Sequence, residues 1–221
     1  MNYEQSHVGY GNLWRAARTR PERRQAAALI AQRALASKAR YVAAATVAHG
    51  MPWTWVAAVH SLESGQSWKG HLHNGDPLTA RTTHVPAGRP ASGSPPFTWE
   101  ASARDAITMP PHSLQGVPSW EIERCLYEWE RYNGFGYVAK AVNSPYLWSF
   151  TNQYQAGKYV ADGRYSATAV SQQCGTVAIA KAIAELEAAG EHQVMIDRPP
   201  VPAPLPAAPG IMARMLALFG W

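Results

Sequence analysis

Between Pro52 and Gly65 the chain has room for little except one short apolar helix, and that helix ends on an acid. Pro52 suits a first helical position, Trp53, Val56, Val59 and Leu62 follow at helical spacing, and Gly65 stops the run just after Glu63 and Ser64. Glu63 stands one heptad after Val56, so its side chain leans toward the face that packs the core. A carboxylate there is costly. Partial burial and the negative end of the helix dipole both disfavour its ionisation, and they move it toward what a general acid needs near neutral pH.

The same punctuation divides the rest of the chain. Pro21 to Ala48 reads as one Ala-rich helix stopped by Gly50, and further helices are predicted from Thr98, as N-cap, to Pro110, from Ser119 to Tyr132, and from Thr168 or Ser171 to Ala189. From Trp68 to Val85 the helical period is lost. Asn74-Gly75-Asp76-Pro77 is a turn signal there, which predicts an irregular β-hairpin or a pair of short strands, followed by a Gly/Pro/Ser loop over Pro86 to Pro96. The fold class expected is therefore mainly α, with a small β-hairpin beside Glu63. Beyond Gly190, prolines from Pro199 to Pro209 read as a stiff linker, and Gly210 to Trp221 as a short apolar helix suited to a membrane surface, a partner, or the domain itself. Three units are expected: a domain over 1–190, a linker over 191–209 and a terminal helix over 210–221.

Of 221 residues, 47% are hydrophobic and 16% charged, enough apolar mass for one folded domain plus an appendage. The net charge of +5 favours an anionic polymer or surface. Nucleic acid is not the expected partner, because Arg15, Arg18, Arg20, Arg23, Arg24 and Arg33 are spaced among Ala and Gln and read as a solvated helix face. Cys125 and Cys174 read as buried small apolar groups, too few for a disulfide framework or a zinc site. Met1 to Ala17 lacks the apolar core of a signal peptide, so synthesis in a cytoplasm is expected.

The residues after Glu63 give the acid a chemical setting. Asp76 and then Thr82 and Thr83 follow it, so an acid helix end would face a hairpin bearing a carboxylate and hydroxyls. Glycosidic hydrolysis needs one group to protonate the leaving oxygen and another to stabilise the cationic sugar or activate water. Glu63 suits the first task and Asp76 the second, with Thr82 or Thr83 holding the water. Tyr132, Asn133, Phe135 and Tyr137, then Tyr146, Trp148, Asn152 and Tyr154, fit a sugar cleft of stacking rings and amides, or else core packing. His71, His73 and His84 near Asp76 invite a metal, but the His-x-His pair lacks a third ligand at metal-site spacing, so no metal or other cofactor is expected.

Several long blocks carry a resemblance: His60-Ser-Leu-Glu-Ser-Gly65, His71-Leu-His-Asn-Gly-Asp-Pro-Leu-Thr79 through Val85-Pro-Ala-Gly-Arg-Pro90, Glu128-Trp-Glu-Arg-Tyr-Asn-Gly-Phe-Gly-Tyr137, Ser144-Pro-Tyr-Leu-Trp-Ser-Phe-Thr-Asn152 and Gly157-Lys-Tyr-Val-Ala-Asp-Gly163. Over roughly residues 10 to 185 the chain resembles a lysozyme family encoded by bacteriophages and prophages. The resemblance implies a lysozyme-like α+β fold, a muramidase that cleaves the β-1,4 bond between N-acetylmuramic acid and N-acetylglucosamine, and Glu63 as the acid. The order of Glu, Asp and Thr is similar to the trio of the broader phage-lysozyme superfamily and points to Asp76 and Thr82, though the spacing from Glu63 to Asp76 is longer. The partner implied is bacterial peptidoglycan, reached through a holin-like pore or from a virion, with the C-terminal tail attaching the domain to a membrane or particle. Two alternatives stay open: a lytic transglycosylase, which needs only the acid, and a glycan-binding or virion structural module without catalysis.

Overall fold

The computed structural model describes residues 1–161 and 163–190, of which about half are helical. The predicted linker and terminal helix lie outside the described residues. In chain order the elements are α1 (Tyr3–Ala16), α2 (Arg24–Ala36), α3 (Lys38–Ala45), α4 (Trp53–Ser64), α5 (Trp99–Thr108), α6 (Ile122–Asn133), the one-turn α7 (Pro145–Trp148), strands β1 (Lys158–Ala161) and β2 (Arg164–Ser166), and α8 (Thr176–Ala189). Among the described residues no helix is long and apolar enough to cross a membrane.

Helix α4 is the buried axis. It packs on α2, α3, α6 and α8, and Trp55, Val56, Ala57, Ala58, Val59 and Leu62 are all buried. A helix apolar on every side has to sit inside others. Pro52 caps α4 in an extended conformation instead of opening its first turn, and Gly65 ends it in the left-handed region at φ 61°. Around this axis α2 packs on α8 and α1 on α6.

The long helix expected over Pro21 to Ala48 is a short 3₁₀ turn over Pro21–Arg23 and then two helices, because the backbone breaks at Ser37. Ser37 sits at φ −111°, ψ 15°, and its N–H closes back on Ala34. Alanine carries a helix only while the backbone geometry allows it, and a serine that competes for backbone hydrogen bonds is a natural place to stop. Arg15 belongs to the separate α1, so the basic residues do not share one helix. Helix α8 starts later than expected, since residues 168–175 are irregular and Ser171 N–H meets the Tyr154 hydroxyl at 3.1 Å.

The hairpin expected over 68–85 does not form. That segment pairs at a single bridge, Gly70 with Pro77, and the antiparallel sheet lies instead at β1 and β2, with Tyr159 opposite Tyr165 and a bulge before Ala161. The sheet packs through Tyr159 on Tyr137, in the segment after α6, rather than on the end of α4. Residues 70–97 satisfy their backbone groups partly with side chains and partly with scattered backbone turns, which removes the need for a ladder. Both cysteines are free and buried.

Candidate functional site

Glu63 occupies the penultimate position of α4 and is 1% exposed. Its Oε1 accepts one hydrogen bond, from the Tyr146 hydroxyl of α7 at 2.9 Å, and its Oε2 is buried with no partner. Burial pushes the carboxyl up to about 8, and the Tyr146 bond pulls the other way. At neutral pH the group therefore carries its proton. Tyr132 of α6, partly exposed, is close enough for the Glu63 charge to act on it, and its hydroxyl donates to Leu72 O at 2.9 Å. The carboxyl is enclosed, so a substrate oxygen reaches it only after a side chain or loop above it shifts.

The loop after α4 is seated on this helix end. Gly75 has φ +80°, and a Cβ built on it would lie 2.3 Å from the Glu63 carbonyl oxygen, so only glycine permits the approach. The neighbouring Asp76 is 8% exposed and surrounded by donors. Its Oδ2 accepts from Thr83 N–H at 2.8 Å, His84 N–H at 3.0 Å, Asn74 Nδ2 at 3.3 Å and Thr83 Oγ1 at 3.4 Å, and its Oδ1 lies 2.6 Å from His84 Nδ1. Burial alone would raise this carboxyl. The bonds from His84 and Thr83 outweigh it and hold Asp76 below the usual carboxylate range.

A second polar cluster ties the loop to α5. His71 Nδ1 lies 2.9 Å from Ser102 Oγ and its Nε2 2.8 Å from Ala80 O, while His73 Nε2 meets Asp105 Oδ2 at 2.8 Å. Arg89 clasps Asp105 with Nε at 2.8 Å and Nη2 at 2.9 Å. Burial would raise Asp105, but the His73 and Ala91 bonds and the Arg89 charge keep it low. These histidines are spent on protein partners, and no cluster of three or more metal-ligating side chains occurs among the described residues. The sequence reads Arg89 as pairing with an acid, which it does, but sequence reasoning passed over Ser102 and Asp105, since nothing local marks a residue whose partner lies on another element.

The remaining candidates divide. Tyr146 stands on Glu63, Tyr132 stands beside it, and Asn133 is fully buried with both side-chain polar atoms unpartnered. Thr82 does not offer a free hydroxyl: its Oγ1 donates to Pro86 O and accepts from Arg89 N–H. Thr83 is exposed, with its N–H and hydroxyl turned to Asp76. Phe135 packs on Tyr127, and Tyr137 accepts from Tyr159 N–H. Trp148 is core, and Tyr154 donates to Gly157 O. Asn152 holds the chain between α1 and α2, accepting from Arg18 N–H at 2.7 Å and donating to Ala16 O at 3.2 Å. These last five positions brace loops and core instead of joining the acid. Glu130 of α6, 3% exposed, was not foreseen. Its signal is readable: Leu126, Trp129, Glu130 and Asn133 form one stripe, and two of the four are polar.

The chain is thus a mainly α protein with a small antiparallel sheet and a buried acid at the end of its central helix. Compared with protein-family models, curated proteins and solved structures, it matches none.

Proposed function

We propose that this protein is a lysozyme-like glycosidase of bacterial peptidoglycan, with Glu63 as its general acid. The observation that carries the reading is the Glu63 carboxyl, held protonated to about 8 by burial, with Oε2 free to give up that proton. Its place at the end of an apolar helix, the largely buried Tyr132 beside it and the resemblance of the surrounding blocks to phage and prophage lysozymes all agree with the assignment. Asn133, buried with its amide unpartnered, is suited to a substrate hydroxyl or acetamido group once the site opens. The resemblance to phage and prophage lysozymes implies action at the wall, reached from the cytoplasm through a pore or within a virion.

The state of Asp76 favours a second reading on the same bond. Its carboxylate is occupied by the loop it organises, so it is poorly placed to activate water. An acid that works alone suits a lytic transglycosylase, in which the sugar's own hydroxyl closes on the anomeric carbon. Mass spectrometry of muropeptides released from purified walls separates the readings, because hydrolysis leaves a reducing end and transglycosylation the lighter anhydro form. Glu63→Gln should lose about 10²–10⁴-fold in release rate while keeping its fold. Undiminished release by that variant would remove Glu63 from the role. Sedimentation with walls but no release by the parent would mean a binding module.

A further inference from the structure

A cavity of about 330 Å³ opens between α1, α6 and α7, within the ~300–1,000 Å³ range of small-ligand sites. Glu130 lines it, and so does Ser144, the N-cap of α7. Tyr10 is another lining residue. The Glu130 Oε1 is buried without a partner. Leu13, Val142 and Trp148 supply apolar sides, and no Lys, Arg or His lines the cavity among the described residues. Helix geometry separates this place from Glu63: Glu130 and Tyr132 are two residues apart on α6, about 200° around its axis.

In a chain of net charge +5, a cavity with a carboxylic side chain and no Lys, Arg or His side chain in its lining is selective. A purely apolar guest would leave Oε1 unpaired, whereas an ammonium group can pair with the carboxyl. We propose that this cavity binds a primary ammonium group carried on a short aliphatic stem, with Glu130 as its counter-charge and Tyr10 and Trp148 flanking the cation. Binding releases the Glu130 proton to solvent and pairs the resulting carboxylate with the ammonium, and the aliphatic stem covers Leu13 and Val142. The source of the amine is the diamino acid of a peptidoglycan stem peptide, an assignment that rests on the proposed function; the ammonium site itself does not.

Titration calorimetry with Nα-acetyl-lysine methylamide, its Nε-acetylated counterpart and 1,5-diaminopentane tests this on the full chain. The free-amine lysine derivative should bind and the Nε-acetylated one should not. Glu130→Gln keeps the side chain's shape and removes its charge, and Gly9→Leu fills the cavity from α1, where an added Cβ meets nothing within 4 Å. Each variant should weaken binding at least tenfold with an unchanged melting temperature or a higher one. Equal affinity in both variants, or equal binding of the Nε-acetylated compound, overturns the site. Tighter binding of the diamine than of the lysine derivative overturns the stem-peptide source. The same titration on Glu63→Gln keeps the two proposals apart: a protein that binds the amine but never cleaves walls loses the glycosidase reading and retains the pocket.

Discussion

Two carboxyls sit on either side of one close backbone contact and are treated in opposite ways. Glu63 is sealed in a helix end with a single hydroxyl for company, while Asp76, a residue beyond Gly75, is crowded by N–H and hydroxyl donors. Burial acts on both and raises both. What decides the outcome is the number of donors: one leaves Glu63 protonated to about 8, and the set around Asp76 keeps it ionised. The difference teaches that a buried acid is prepared for proton donation chiefly by withholding partners from it.

The contrast is sharpest in how stability responds to pH. Glu63 and Glu130 are raised from 4.5 to about 8, so the stability each adds is complete below 4.5 and is lost as pH rises toward 8. His60 and His73, held neutral by burial, act oppositely, their contribution being lost as pH falls below 6.5. The clean measure is therefore a difference. Glu63→Gln should gain on the parent between pH 5 and pH 8 by on the order of 2–4 kcal/mol in urea unfolding, and a flat difference would break the comparison.

Next in size is Asp76→Asn, which should cost about 2–3 kcal/mol by turning an amide toward donors that need an acceptor, seen as a melting point roughly 5–10 °C lower. Loss of wall cleavage with no loss of stability would instead return Asp76 to the chemistry. The smallest effect belongs to Tyr146→Phe, about 1 kcal/mol. Because the Tyr146 bond lowers the Glu63 value, its removal should move the alkaline limb of the rate–pH profile to higher pH. A limb displaced to lower pH would mean that the hydroxyl favours the protonated form.

How much of this was legible in the sequence follows from how local each signal is. Thr98 was read as an N-cap and accepts from Ala101 N–H at 3.1 Å; the α4 helix and its Gly65 stop were read from spacing and one residue's conformational freedom. Glu63 was legible for the same reason, since an acid at the end of an apolar stripe is conspicuous. The segment from 68 to 85 was misread as a hairpin or a pair of short strands because Asn-Gly-Asp-Pro is a turn signal in any setting. Whether its flanks pair depends on Ser102 and Asp105, which are far along the chain and belong to a helix. The aromatic segments failed similarly: rings suited to sugars are also suited to cores, and only packing distinguishes Tyr146 on Glu63 from Trp148 inside the protein.

The seat of Gly75 against the Glu63 carbonyl has a practical corollary for dissecting this molecule. The spacing of the two acids is held by main chain touching main chain, so altering either side group leaves its neighbour where it was. Single replacements at 63 and 76 then report on separate chemical duties, whereas any bulk introduced at 75 would pry both loose together.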